Sequence, residues 1–213
     1  VSFYPQLDNL TLRELIERFH GPPDDEGDSP SLWYEEIAWK LKEHGKPALD
    51  FLWSQADARD APRRKAVLFG LSSAAPSDPK VRELLLKHLH DRRPLVVAEA
   101  IDGLSFAPDA GDVADAVLPL QNHPSPYVRG AVLRFMRRVR GESARALLIS
   151  ALDDKHHVVR ANAVDELDEL GDPSVVPVLR PLLDDPHAHV RDAACTAIEN
   201  LERIEREQAV GAS

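Results

Sequence analysis

Two pairs of opposite charge carry the strongest chemical signal in this sequence. Asp154 is followed six residues later by Arg160, and Asp185 six residues later by Arg191. A carboxylate beside a guanidinium can polarise water or grip an anion. The two pairs sit 31 residues apart, in register with everything around them. That register predicts a ladder of ion pairs tying one structural unit to the next. Histidines gather in the same turns: His123, His156, His157, His187 and His189. His156 and His187 are equivalent residues of neighbouring units. Packed helices lie about 10 Å apart, too far for those two alone to reach one zinc at about 2.1 Å each. They read as exposed turn histidines, and no metal site is expected. Cys195 is the single cysteine, which excludes a disulfide within the chain and a cysteine-based metal cluster. Its neighbours Ala194 and Ala197 predict a buried, inert thiol. Serine-hydrolase and phosphate-loop patterns are absent, and with no catalytic constellation the reading leans away from an enzyme.

The elements that position these residues follow from composition and period. The 213 residues are 43% hydrophobic and 29% charged, with 6% aromatics, so an ordered core built of Leu, Val, Ile and Ala is expected. No apolar run approaches the roughly 18 residues of a membrane span, and Val1 to Leu10 lacks a signal-peptide pattern. A cytoplasmic protein without a membrane partner is the expectation. Charge is uneven: residues 1–60 carry a net −7, residues 61–150 a net +5 and residues 151–213 a net −8, for −10 in all. An acidic chain with a basic middle suits a protein partner of acidic or mixed surface charge, and disfavours general nucleic-acid binding.

The period is about 31 residues. Val159, Ala163, Leu167 and Leu170 match Val190, Ala194, Ile198 and Leu201. Earlier copies run through Val128, Val132, Met136 and Val139, then Val96, Ala100, Leu104 and Ala107, and weakly through Arg63, Val67, Leu71 and Ala74. Spacing of i, i+4, i+8, i+11 is one face of an α-helix. A second helix follows each first one, opened by Asp-Pro as at Asp78-Pro79 and Asp172-Pro173. Its expected core rows are Leu85, Ala116, Leu148, Leu179 and Leu89, Leu120, Leu152, Leu183. The part before residue 61 is less regular. Thr11 to Glu14 forms a capping-box pattern before a helix over 11–20, residues 21–30 form a mobile acidic loop, and two helices over 32–44 and 46–56 act as an N-terminal cap. Trp33, Trp39 and Trp53 are assigned to core or cap. One domain over 1–213 is expected, with repeats over 61–208.

The pattern Asp-x5-Arg-x2-Ala-x3-Leu-x2-Leu-Gly-Asp-Pro, clearest from Asp154 to Pro173, resembles the HEAT repeat of the short bacterial type seen in phycobilin lyases. The resemblance implies an all-α fold: a right-handed α-solenoid of about five to six HEAT-like helix pairs with an N-terminal helix. It assigns Asp154, Arg160, Asp185 and Arg191 to the structural ladder. In earlier copies the ladder breaks, since Val97 replaces the arginine and His123 the aspartate. Deoxyhypusine hydroxylase shares such repeats but needs His-Glu pairs to hold two irons, and this sequence has no His-Glu dipeptide. Second helices in such folds line the concave face, which here presents Leu86, Val117, Ile149 and Arg180. Arg134, Arg137, Arg138, Arg140 and Arg145 form a basic central patch, the first three falling off the apolar face and expected to be exposed. An arginine cluster without interleaved aromatics is a weak nucleic-acid signal. The resulting reading is a protein-binding scaffold without a cofactor, docking through its concave face and basic patch. The alternatives are a phycobilin-lyase-like enzyme or cofactor-protein maturation factor, and a binder of nucleic-acid backbone.

Overall fold

A computed structural model describes residues 2–25 and 27–211. Among them every regular element is helical and none is a strand. The fold is all-α and built of HEAT-like helix pairs. The chain divides into two compact units, one ending at Ala110 and the other beginning at Gly111.

The first unit opens with α1 (Leu12–His20), started by a complete capping box between Thr11 and Glu14. It continues with α2 (Pro30–Leu41), α3 (Lys46–Ser54), α4 (Ala61–Ala74), α5 (Pro79–His88) and α6 (Pro94–Leu104). Proline at the first helical turn and aspartate caps at Asp60 and Asp78 set where α4 and α5 begin. Trp33, Ile37, Leu41, Leu52, Leu68, Leu71 and Ile101 are fully buried. Gly70 lets α4 approach α2 closely: a Cβ there would stand 3.2 Å from the Ala38 Cβ. The acidic stretch after α1 is tied at its start. Tyr34 Oη donates to the Gly21 carbonyl at 2.8 Å, and Arg63 donates to the carbonyls of Phe19, His20 and Gly21. Glu26 of that stretch lies outside the described residues.

The second unit contains α7 (Ala114–Val117), α8 (Pro126–Arg140), α9 (Arg145–Ala151), α10 (His157–Leu170), α11 (Val176–Leu179) and α12 (Ala188–Gly211). Here α8, α10 and α12 are the long first helices, with Val128, Val132, Val159, Ala163, Val190 and Ala194 buried on the repeating face. The second helices are shorter than the period predicts. Pro119 and Pro181 occupy equivalent sites, and each lacks the N–H that would continue an α-helix. The chain passes instead into 3-10 turns over Leu118–Asn122 and Arg180–Asp184. The predicted core row slips by one residue at α7. Ala116 is exposed and Val117 is buried, so Val117 is a core residue and not part of an open face. The step from Val96 to Val128 is 32 residues, and the same step takes Leu85 to Val117. Leu183, expected in the core, is also largely exposed.

Candidate functional site

The recurring charges are built into the turns before the long helices. Arg160 donates from Nε and Nη2 to the two carboxylate oxygens of Asp185 at 2.8 and 2.9 Å, and from Nη1 to the Asp154 carbonyl at 2.8 Å. Arg129 repeats this with Asp154 at 2.8 and 2.7 Å and with the His123 carbonyl at 2.8 Å. Arg191 reaches the Asp185 carbonyl. Each aspartate also accepts the amide two residues on, His156 to Asp154 and His187 to Asp185. These donors hold the carboxyls of Asp154 and Asp185 below their usual range against the opposing effect of burial. Charges so neutralised and enclosed are fixed in place.

One rung was not legible in the sequence. Arg64 pairs with Asp91 at 3.2 Å, and Asp91 also accepts from the amide and guanidinium of Arg93. Its carboxyl is held far below the usual carboxylate range, chiefly by Arg93. The ladder is therefore present in an early copy. His123 keeps the turn function alone, its Nδ1 accepting the Ser125 amide as the aspartates accept theirs.

The arginines of the expected basic patch differ from an open cluster. Arg134 is half-buried and donates to Asn162 Oδ1 at 2.8 Å. Arg137 is half-buried and donates to Glu166 at 2.5 Å. Arg145 pairs with Asp172 at 2.6 Å and also donates to Ser174. Arg138 and Arg140 are exposed, with Asp115 at 3.7 Å from Arg140. The physical reason is reach: residues 28 or 29 positions later lie on the adjoining helix, where a guanidinium finds an acceptor. Donors engaged this way are not available to a phosphate backbone. Of the expected concave row, Leu86 and Ile149 are half-exposed, and Arg180 is exposed and bonded to Glu202 at 2.7 Å.

The histidines come together more closely than expected. His157 stacks on His187 with ring centroids 3.6 Å apart and planes 7° from parallel, and His156 stacks on His157 at 4.6 Å. Partial burial first, and the neighbouring imidazoles second, push His157 below its ordinary pKa. Among the described residues no group of three or more His, Cys, Asp or Glu is placed to hold a metal. Cys195, expected to be buried, is exposed. Ala194 and Ala197 do face the core, but Cys195 stands one residue round the helix and contacts Glu199 at 3.6 Å. The Glu199 charge pushes the thiol pKa up.

An open, partly apolar concavity lies within the first unit. A groove of about 570 Å³ is lined by Phe3, Leu32, Trp39 and Phe69, with Asp8, Glu35, Glu36 and Lys40 at its polar edge. Phe3 is 76% exposed, Leu32 45% and Trp39 46%. Trp39 on α2 lies on Phe69 of α4 with planes 26° apart, and Lys42 sits over the Trp39 ring. Glu35 is bonded by Lys65, and Glu36 by Ser2 at 2.8 Å. Trp33, six residues before Trp39, is fully buried, so the tryptophans of α2 divide between core and surface. Sequence reasoning placed all three in core or cap. Exposed aromatics on adjoining helices were detectable only once α2 and α4 were known to pack side by side.

Comparison with known proteins agrees with this architecture. Residues 114–199 match the family model for HEAT repeats. No curated protein sequence matches the chain significantly. Among solved structures, Escherichia coli YibA superposes with a TM-score of 0.69 at 19% identity, over 94% of this chain and 76% of that one. An engineered protein superposes with a TM-score of 0.50 at 16% identity, over 91% of this chain and 97% of that one. The CpcE–CpcF complex of phycocyanin lyase from Nostoc sp. PCC7120 reaches a TM-score of 0.45 at 16% identity, over 92% and 95%, too low a likeness to carry an argument. At these identities the superpositions speak to fold alone. The 31-residue helical period, the Arg–Asp rungs between successive repeats and the family match agree on HEAT repeats over residues 114–199.

Proposed function

We propose that this protein is a non-enzymatic scaffold that binds another protein. The observation that carries the reading is the groove of Phe3, Leu32, Trp39 and Phe69, an apolar surface whose last three residues stand on helices with their other faces locked into a core. Exposed aromatic anchors on a stiff frame suit docking, because little order is lost when a partner arrives. Ion-paired rungs supply such stiffness in the repeats. The basic patch and the row of Leu86, Ile149 and Arg180 are secondary surfaces in this reading, since their arginines are mostly engaged within the chain.

The test is partner capture with wild type, a Trp39→Ser/Phe69→Ser variant and an Arg138→Glu/Arg140→Glu variant. A stoichiometric partner held by wild type and lost only from the first variant supports docking at the groove. Loss only from the second moves the site to the basic patch. Capture of a tetrapyrrole-bearing protein with transfer of its pigment, or of nucleic acid, would overturn the scaffold reading.

A further inference from the structure

We infer that the turns before α4 and α6 form a site for a phosphomonoester, carried on a phosphorylated side chain of the protein partner. The inference rests on the protein-binding reading and adds a second contact on the first unit, sharing no residue with the groove of Trp39 and Phe69. Arg59, Arg64, Asp91, Arg92 and Arg93 line a concavity of about 540 Å³. Four guanidinium groups meet one carboxylate there. Asp91 has a side chain 8% exposed and is shared by two arginines. Arg93 donates to it from Nε and Nη2 at 2.8 and 2.7 Å, and Arg64 from Nη1 at 3.2 Å. This rung therefore holds one positive charge more than it neutralises. In the later rungs one arginine meets one aspartate.

The same two arginines tie turn to turn. Arg93 Nη1 donates to the Arg59 carbonyl at 2.7 Å, and Arg64 Nε to the Ala58 carbonyl at 2.8 Å. Arg59 and Arg92 are thereby held at one concavity. Both are exposed, and neither guanidinium has an ion pair or hydrogen bond among the described residues. The other acids of the first turn are taken, Asp60 by Arg63 at 3.1 Å and Asp57 by Lys87 at 4.0 Å. Four arginines against one aspartate leave the lining at +3. Holding like charges together costs free energy that a bound anion offsets. A carboxylate brings one charge and two oxygens. A phosphomonoester brings nearly two charges and three strong acceptors, enough to engage two free planar forks. A nucleic-acid strand needs a longer run of cations, whereas this chain carries −10 and the turn of Arg59 also carries Asp57 and Asp60.

The probes are three acetylated, amidated nonapeptides of alanine and glycine whose central residue is phosphoserine, glutamate or serine. Inorganic phosphate and a single-stranded oligonucleotide are titrated beside them. Binding to the full chain is followed by fluorescence anisotropy of labelled peptide, with the unlabelled probes as competitors and the far-UV circular dichroism melt of each variant as the folding control. The phosphoserine peptide is expected to bind about tenfold more tightly than the glutamate peptide, a difference near 1.4 kcal/mol. The serine peptide should not bind. Arg59→Gln/Arg92→Gln should abolish the preference with the melt unchanged, since both side chains are exposed and unpaired. Arg92→Lys, which keeps the charge and loses the fork, should fall between. Arg138→Gln/Arg140→Gln should bind as wild type does. Equal binding of the phosphoserine and glutamate peptides, full binding by Arg59→Gln/Arg92→Gln, loss by Arg138→Gln/Arg140→Gln, or no binding by any peptide overturns the inference. Inorganic phosphate competing as well as the phosphopeptide overturns the protein source, and tighter binding of the oligonucleotide at the same arginines replaces it with nucleic acid. Each of these results leaves docking through Trp39 and Phe69 as it stands, since no groove residue is changed.

Discussion

Arg160 joins two repeats at once: one guanidinium grips both carboxylate oxygens of Asp185 and, through its third nitrogen, the carbonyl of Asp154. Asp185 has a side chain only 5% exposed, so the pair is removed from water. Taking away Arg160 leaves a buried carboxylate with its backbone donor alone. Arg160→Ala is expected to lower stability by about 3 kcal/mol, the cost typical of breaking one side of a buried pair. Urea unfolding of Arg160→Ala, Asp185→Asn and the double variant checks this. The coupling in the cycle should be large, and strictly additive losses would show that the rung does not link the repeats.

The same carboxylates make stability fall in acid. Asp154 and Asp185 have folded pKa values lowered from 3.8. Groups lowered by folding stabilise above the unfolded value and lose that contribution as pH falls through the folded value. Melting temperature should therefore hold above about pH 4 as far as these groups are concerned and drop below it. Arg129→Leu, which abolishes the Asp154 rung, should flatten part of that drop.

The histidine stack acts at a higher pH. His157 is lowered from 6.5 by partial burial and by the charges of His187 and His156. For a base, a lowered folded pKa means that the unfolded chain binds protons first, so stability declines as pH falls below 6.5. A His157→Gln/His187→Gln variant should lose the part of the decline seen between pH 7 and pH 5. Titration by NMR should find the His157 pKa rising toward its ordinary value in a His187→Gln variant if the stack is the cause.

Gly70 marks the closest passage of α4 over α2. A side chain there meets the Ala38 Cβ, which has no freedom to move aside, besides the more mobile Leu52. Gly70→Val is expected to destabilise by about 3 kcal/mol despite the gain in backbone entropy from removing glycine. Ala38→Gly in the same background should recover part of the loss.

Cys195 is exposed, and a neighbouring carboxylate raises its thiol pKa. The Glu199 carboxylate lies 3.6 Å from its sulfur and disfavours the thiolate. Glu199→Gln should speed alkylation by iodoacetamide at pH 7.5, with the two rates converging once both thiols are ionised. Equal rates at pH 7.5 would remove the role assigned to Glu199.

The repeat was legible in the sequence because the Val-Arg-x2-Ala pattern of α10 and α12 combines a fixed spacing with residue types that packing demands. What the spacing left open depended on small angles and long side chains. Ala116 and Val117 are both apolar, and only the 32-residue step decides which turns inward. Cys195 lies one residue past buried Ala194, a rotation of about 100° that carries it to the surface. Arg64 and Asp91 stand 27 residues apart where the later rungs span 25, so a fixed template passes over them. The arginines of α8 were correctly placed off the apolar face, but a flexible guanidinium finds its acceptor in three dimensions. The groove has no repeat signature, because α2 and α4 belong to the irregular start of the chain.

The equal span of the later rungs has a consequence for how such a chain changes length. Arg129 to Asp154 and Arg160 to Asp185 are each 25 residues, and the rungs lie 31 residues apart. Removing residues 130–160 would bring Asp185 to the position Asp154 occupies, facing Arg129 in the same turn. In these two later rungs acceptor and donor are interchangeable parts, so loss or duplication of one whole 31-residue unit re-forms the rung, whereas a gain of a few residues does not. The ladder makes the protein a counted object, able to grow in steps and resistant to drift between them.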